Sequence, residues 1–143
     1  MLFRSHSLSK RLVVPQFDGE VGRQATALFD TIKAAMPLPS SVGVIIDIGN
    51  NGYVGTETLR AIFSMLATQP RVIVVNASVP RRWESTNNEL IASMALEFPN
   101  VRVADWHTAA TGHPSYFVAD GVHLSTNGIR AYTDCVVAAA TVA

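Results

Sequence analysis

Short β-branched runs alternate with segments of helical period along most of this chain, and that alternation is the strongest constraint on its fold. Residues 42–48 form a β-branched run without alternation, which favours a strand that is covered on both faces, and residues 72–76 are a second run of this buried type. Residues 101–104 are predicted to form a further short strand. Apolar residues recur at helical spacing between these runs, as in residues 56–67. Units of this kind predict an α/β fold with a parallel sheet, right-handed connections and helices on both faces.

The composition predicts one well-buried domain over residues 1–143. The chain has 48% hydrophobic residues, 15% charged residues and a formal net charge of zero. These values disfavour disorder, a nucleic-acid partner and an anionic-membrane surface. The single cysteine, Cys135, excludes an internal disulfide. The sequence predicts neither a signal peptide nor a membrane-spanning segment in this chain.

Polar or glycine-rich segments lie where sites form in parallel sheets, beyond the carboxyl ends of the strands. One is the Gly49-Asn-Asn-Gly52 turn, where a side-chain amide could donate to a developing oxyanion. Another contains Gly22, whose backbone N–H could face an anion at the start of the first clear helix. In both places the residues could equally serve turn geometry alone. A third segment is a predicted long loop from Asp105 to His123.

That loop ends in Asp120-Gly-Val-His123, before a last helix for which Ser125 or Thr126 is the predicted N-cap. A histidine can take a proton from a hydroxyl, and a carboxylate on its far ring nitrogen fixes the tautomer and stabilises the imidazolium. Three residues of separation across a turn are compatible with that contact. A surface aspartate that caps the turn beside a solvated histidine would give the same pattern, so the motif alone leaves both interpretations open.

Several motifs together resemble the SGNH (GDSL) hydrolase domain of bacterial peptidoglycan O-acetyltransferases. In the same order and spacing, the chain contains Asp18-Gly-Glu-Val-Gly-Arg-Gln24, Ile48-Gly-Asn-Asn-Gly52, Val79-Pro-Arg81, Asp105-Trp106, Gly112-His-Pro114 and Asp120-Gly-Val-His-Leu124. The resemblance implies a three-layer α/β/α, flavodoxin-like fold with a parallel sheet. In that family the domain is the extracytoplasmic part of a larger membrane acyltransferase.

The resemblance also implies a role for each matching residue. His123 would be the general base and Asp120 its orienting partner, while the side-chain amide of Asn51 and the backbone N–H of Gly22 would form the oxyanion hole. The implied reaction is acyl transfer through a serine ester, which moves an acetyl group to a carbohydrate hydroxyl or to water. No metal and no organic cofactor are implied. The implied partners are a carbohydrate substrate and a membrane acyltransferase domain or protein that supplies acetyl groups.

The chain departs from the family at the nucleophile. Its 143 residues contain neither Gly-Asp-Ser nor a G-x-S-x-G elbow. We therefore expect the chain to begin late, without the nucleophile block and without the central first strand, whose loss would leave neighbouring edges unpaired. Ser5 and Ser7 are the nearest substitutes, but neither lies on a predicted strand-to-helix turn. The chain by itself is predicted to be inactive or weakly active.

A metal site is an alternative. Asp105, His107, His113, Asp120 and His123 lie close together in the sequence and include ligands that suit zinc or a similar ion. Their spacing matches no metal-binding motif, and histidines in loops are commonly solvated.

The remaining alternative is a non-catalytic relic of the fold that binds carbohydrate. Trp83, Trp106 and Tyr116 would then provide stacking surfaces. Burial in the core is the competing interpretation for these rings, above all for Trp106.

Overall fold

The structure is a computed structural model that describes residues 16–141, so Ser5 and Ser7 lie outside the described residues. Strands and helices alternate there, as the sequence predicts. In chain order they are α1 (Ala25–Ala35), β1 (Val44–Asp47), α2 (Thr56–Met65), β2 (Val72–Val75), α3 (Glu84–Ala95), β3 (Val101–Ala104), α4 (Trp106–Ala110), a 3₁₀ turn (Pro114–Tyr116) and α5 (Thr126–Thr141).

The three strands form a sheet in the order β1-β2-β3, and both pairings are parallel, which confirms the predicted parallel sheet. Val44 pairs with Val72, and Val72 pairs with Val101, so the strands begin at the same level. Within residues 16–141, β1 pairs with β2 only, and its other edge faces no described strand. Because all three strands run the same way, their carboxyl ends meet at one edge of the sheet.

Helices cover both faces of this sheet, and β2 shows how. All four of its residues are buried. Val72 and Val74 belong to one hydrophobic cluster, with residues of α1, α2 and α3, whereas Ile73 and Val75 belong to a second cluster, with residues of α4 and α5. Side chains along a strand alternate between faces, so β2 contributes to both cores. The predicted three-layer α/β/α fold is confirmed.

The spacing of apolar residues in helix α2 explains how this helix packs into the core. Leu59, Ile62 and Phe63 recur at spacings of three and four residues, which places them on one face. All three are fully buried in the first cluster. Burying a side chain of this size contributes about 2 kcal/mol relative to leaving it in water.

The prediction of a long loop from Asp105 to His123 was wrong, because α4 and the 3₁₀ turn lie inside it. Asp105 caps α4 by accepting a hydrogen bond from the Thr108 N–H at 3.1 Å. Pro114 begins the 3₁₀ turn. Elements this short do not repeat an apolar spacing, so sequence periodicity does not reveal them. No helix among residues 16–141 is both long and apolar enough to cross a membrane.

Candidate active site

The loops that follow the strands touch one another at the carboxyl edge of the sheet. A Cβ built on Gly49, after β1, would lie 3.7 Å from the Cβ of Ala77, after β2. A Cβ built on Gly121 would lie 3.5 Å from Cγ of Pro80, which belongs to the same loop as Ala77. The loop after β2 therefore links the Gly49–Gly52 turn to the turn that contains Asp120.

Asp120 and His123 lie on a tight turn between the 3₁₀ turn and α5. Its base is closed by the Val118 N–H, which donates to the His123 carbonyl at 2.9 Å. At its tip, Asp120 Oδ1 accepts from the backbone N–H groups of Val122 at 2.8 Å and of His123 at 2.9 Å. Aspartate often closes a turn in this way. The carboxylate that caps the turn is the one predicted to orient the histidine.

The other carboxylate oxygen of Asp120 faces the histidine ring. Asp120 Oδ2 lies 2.6 Å from His123 Nδ1. This hydrogen bond, together with those from the two backbone N–H groups, lowers the pKa of Asp120 from 3.8 to about 2. With Nδ1–H donating to the carboxylate, a neutral ring keeps its lone pair on Nε2. The His123 side chain is 72% exposed, so a hydroxyl group in solution can reach the ring.

The end of this turn is anchored on α5. The Ser125 N–H donates to the Tyr116 carbonyl at 2.9 Å, and Ser125 Oγ accepts from the Gly128 N–H at 3.2 Å. Ser125 is therefore the N-cap of α5, one of the two residues that the sequence predicts. A Cβ at position 128 would lie 1.8 Å from the Tyr116 carbonyl oxygen. Only glycine permits this close approach of the helix.

Asn51 lies on the turn that follows β1, in contact with the segment that contains Gly22. Its Nδ2 donates to the Arg23 carbonyl over a long 3.4 Å. A Cβ on the neighbouring Gly52 would lie 2.7 Å from Oε1 of Gln24. Gly22 has a φ of +74° and open space where a side chain would stand. The structure thus brings the two predicted oxyanion donors into adjoining segments.

Sequence reasoning missed the residue that holds the Asn51 turn. Asn87 of α3 is only 1% exposed, and its Nδ2 donates to the carbonyls of Gly49 at 3.2 Å and Gly52 at 2.8 Å. Its Oδ1 accepts from the Val54 N–H at 3.0 Å. Three hydrogen bonds from one buried amide therefore fix the backbone on both sides of Asn51.

The next residue, Asn88, holds the neighbouring loop in the same way. Its side chain donates to the Ala77 carbonyl at 2.8 Å and accepts from the Ala77 N–H at 2.9 Å. A signal for Asn87 was present in the sequence, because it lies four and seven residues before the buried Ile91 and Met94. A polar residue on the buried face of a helix needs a partner inside the protein.

Comparison with known proteins gives consistent results. YrhL of Bacillus subtilis, named as a candidate peptidoglycan O-acetyltransferase, is 36% identical over 123 residues, which are 85% of this chain and 19% of YrhL. The O-acetyltransferase OatA of Staphylococcus aureus is 33% identical over 131 residues, or 90% of this chain and 22% of OatA. No family model matches the chain.

A solved structure shares the fold. The C-terminal catalytic domain of peptidoglycan O-acetyltransferase A from Streptococcus pneumoniae superposes with a TM-score of 0.72 at 20% identity, covering 96% of this chain and 86% of that one. The chain therefore has the fold of that catalytic domain. The family resemblance read from the motifs is confirmed. The chain spans about a fifth of the length of the curated relatives that it matches.

Other polar residues near this edge serve the local structure. Asn76, which follows β2, donates to Asp105 Oδ1 at 2.8 Å and accepts from the His107 N–H at 2.9 Å. Burial alone would raise the pKa of Asp105, but hydrogen bonds from Thr108 and Asn76 outweigh it and lower that pKa. Asp105 is thus an ionised helix cap. His107 Nδ1 lies 3.5 Å from Glu84 Oε1, without the geometry of a hydrogen bond.

The residues considered for a metal are not brought together. Asp105 bonds to Asn76, His113 stacks on Tyr116 with ring centroids 4.6 Å apart, and Asp120 pairs with His123. Within residues 16–141 no group of three or more His, Cys, Asp or Glu side chains could hold a metal ion. The structure therefore does not support the metal alternative.

The aromatic residues considered for sugar stacking fall into two groups. Trp106 is 2% exposed and packs in the second core against Tyr116 and Tyr132, with ring centroids 6.1 and 5.3 Å away. Trp106 is therefore a core residue. Trp83 instead lies beside Tyr53, with ring centroids 6.2 Å apart. That pair is at the carboxyl edge of the sheet, between the Asn51 turn and α3.

Proposed function

We propose that this chain contributes the general base, its orienting carboxylate and the oxyanion donors to acyl transfer through a serine ester. The reaction would be O-acetyl transfer, or acetyl-ester hydrolysis, on cell-wall carbohydrate such as peptidoglycan. One observation carries the proposal: His123 Nδ1 lies 2.6 Å from Asp120 Oδ2, and the ring is otherwise exposed at the edge of the sheet where sites form.

The proposed chemistry has two balanced steps. His123 Nε2 takes the proton of a serine hydroxyl as its Oγ attacks the acetyl carbonyl, and the imidazolium returns that proton to the leaving oxygen of the acetyl donor. In the second step, a carbohydrate hydroxyl or a water molecule attacks the acetyl-serine, and His123 takes the proton of that attacking group. The ester bond to serine breaks, and the imidazolium returns the proton to the released serine oxygen. Asp120 stabilises the imidazolium, while Asn51 and Gly22 would donate to the oxyanion in both steps.

The nucleophilic serine of this reaction is not assigned to a residue of the chain. The 143 residues contain no Gly-Asp-Ser segment, and Ser5 and Ser7 lie outside the described residues. We therefore expect little or no turnover from the chain alone, because a base and an oxyanion hole without their nucleophile leave only residual catalysis.

The proposed setting is extracytoplasmic, with a membrane acyltransferase domain or protein as the source of acetyl groups. Support comes from the relatives, whose names describe O-acetyltransferases of which this chain matches about a fifth. No metal or organic cofactor takes part in the proposed steps.

The test compares p-nitrophenyl acetate turnover by the chain with turnover by a version extended at its N-terminus with a Gly-Asp-Ser segment from a relative. We expect turnover in the extended version only. Within it, His123→Ala should abolish turnover, and Asn51→Ala should lower the rate by about 10²–10³, the usual effect of removing one oxyanion donor. Undiminished turnover in the His123→Ala variant would refute the proposed base.

Equal turnover by the two parent versions would show instead that a serine within residues 1–143 is the nucleophile. Carbohydrate binding without turnover in either version would favour the relic alternative.

A further inference from the structure

We propose that Arg23 is a positioning residue, which fixes the two proposed oxyanion donors, Gly22 and Asn51, relative to each other. The inference rests on the proposed function, since it assigns to that same site a residue that orients the donors without touching the substrate. It depends on three observations: the loop that the guanidinium group of Arg23 closes around Gly22, the low exposure of that group, and the hydrogen bond between the Arg23 carbonyl and Asn51.

The guanidinium group of Arg23 closes the loop that contains Gly22. It forms ion pairs with Asp18, five residues earlier, and with Glu20, three residues earlier, the second at 3.2 Å between Nε and Oε2. Gly22 lies inside the closed loop and has a φ of +74°. Glycine adopts this left-handed conformation readily, but it is also the residue that leaves it most easily. Contacts across the loop are therefore needed to keep the Gly22 N–H pointing in one direction.

The guanidinium group is largely shielded from solvent, although both acids are exposed. The Arg23 side chain is 14% exposed, against 53% for Asp18 and 66% for Glu20. Burial alone would lower the pKa of Arg23, but hydrogen bonds to the two carboxylates outweigh it and raise that pKa. A shielded charge is costly unless it is paired. Because a guanidinium fork presents several N–H donors in fixed directions, one arginine can hold both acids at once.

The backbone of Arg23 connects this loop to the Asn51 turn. The Arg23 carbonyl accepts a hydrogen bond from Asn51 Nδ2 at 3.4 Å. A side-chain amide has two N–H groups, so this bond orients the amide and leaves the second N–H to donate to an oxyanion. Beside it, a Cβ on Gly52 would lie 2.7 Å from Oε1 of Gln24. Arg23 therefore acts on Gly22 through its side chain and on Asn51 through its backbone.

The first experiment measures nitrogen-15 relaxation of the full 143-residue chain. We expect a rigid Gly22 N–H in the unaltered chain, with an order parameter of about 0.85, and a value below about 0.6 in Arg23→Gln. The side-chain amide resonances of Asn51 should shift in the same variant. Because Arg23→Gln could also weaken the fold, the double variant Asp18→Asn, Glu20→Gln removes the partners from exposed positions, and it should reproduce both changes.

A matched control is the ion pair between Arg60 of α2 and Glu97, which follows α3. Its two hydrogen bonds are 2.7 and 3.0 Å long. Arg60→Gln therefore removes a paired guanidinium group outside the loop, and it should leave the Gly22 and Asn51 signals unchanged. The urea midpoint of Arg23→Gln should fall no further than that of Arg60→Gln.

The second experiment measures p-nitrophenyl acetate turnover by the version extended with a Gly-Asp-Ser segment. An oxyanion carries its charge only in the transition state, so Arg23→Gln should lower kcat by about tenfold and leave KM unchanged. Arg23→Lys keeps the charge but not the fork, and should lower kcat by only about threefold. Arg60→Gln should change neither constant.

Three outcomes overturn the inference: a mobile Gly22 N–H in the unaltered chain, an order parameter that Arg23→Gln leaves unchanged, or kinetic constants of Arg23→Gln that equal those of Arg60→Gln. If His123→Ala abolishes turnover while Arg23→Gln does not slow it, this inference fails and the proposed acyl transfer stands. If the unaltered extended version shows no turnover, the acyl transfer fails, and the relaxation data decide whether Arg23 fixes the two donors.

Discussion

The two halves of the candidate site are held in opposite ways. The Asp120 turn is exposed, and the hydrogen bonds of its carboxylate join residues two or three positions apart. The Asn51 turn is held by Asn87, a buried side chain that lies 33 to 38 residues further along the chain. The Asp120 turn can therefore form from its own few residues, whereas the Asn51 turn is held only when α3 is packed in the first hydrophobic cluster.

Because of this difference, we expect substitutions in the two turns to affect different properties of the protein. Substitutions in the exposed turn should change the chemistry of the histidine and leave global unfolding almost unaltered. Substitutions at the buried anchor should lower the free energy of unfolding first, and affect the site through that loss.

Asn87→Ala should lower the free energy of unfolding by about 3 kcal/mol, because it leaves two carbonyls and one N–H without their partner in the interior. Urea unfolding followed by circular dichroism measures the change. Asn127→Ala, at an exposed position of α5, is the control and should have almost no effect. If Asn87→Ala is as stable as the control, the Asn51 turn does not depend on α3.

Gly128→Ala tests the anchor of the other half. A Cβ 1.8 Å from the Tyr116 carbonyl oxygen forces the start of α5 away from the 3₁₀ turn. We expect a loss of about 2 kcal/mol, typical of overpacking, together with faster amide exchange at Ser125. Gly43→Ala adds a methyl group whose nearest neighbour is Arg71 O at 3.4 Å, and should cost less. Equal losses at the two positions would contradict the close approach seen at Gly128.

Asp120→Asn should change the histidine and not the fold. In the unaltered chain, the neutral ring should carry its proton on Nδ1, which donates to Asp120 Oδ2. An asparagine amide that donates to Nδ1 instead moves that proton to Nε2, the nitrogen that we propose as the base. Nitrogen-15 chemical shifts of the His123 ring measure the tautomer. The same tautomer in both proteins would show that Asp120 does not orient the ring.

The smallest effect concerns the titration of Asp120. Its pKa should be about 2, below the ordinary 3.8, chiefly through the hydrogen bond from His123 and then through those from two backbone N–H groups. A carboxylate with a lowered pKa stabilises the turn above its unfolded pKa, and that stabilisation is lost as the pH falls towards 2. Carbon-13 shifts of the carboxyl group follow the titration. His123→Ala should raise the midpoint towards 3.8, and an unchanged midpoint would contradict the contact.

The features of the fold and the site that could be predicted all depend on residues that are close together in the sequence. The β-branched runs and the helical spacing of Leu59, Ile62 and Phe63 depend on neighbours along the chain, so they gave the strands and the helices. The Asp120 turn is equally local. Asn87 could have been suspected from its position on the buried face of α3, but its partners could not be identified, because nothing local links Asn87 to Gly49 and Gly52.

The short elements within residues 105–116 could not be predicted for a different reason. Helix α4 has five residues, too few to repeat an apolar spacing, and its cap is an aspartate that itself bonds to Asn76. The core position of Trp106 follows from that cap and from the packing of α5. The sequence alone did not decide whether the Trp106 ring is a sugar-stacking surface or a core residue.

The sequence by itself determined the α/β layering, the family motifs and the pairing of Asp120 with His123, because each depends on spacing within a few residues. Only the tertiary structure decided that the Asn51 turn is clamped by Asn87, that Pro80 packs on the Asp120 turn, and that Tyr53 meets Trp83. These contacts join residues that are distant in the chain, and they form at one place because parallel strands bring their carboxyl ends to the same edge of the sheet.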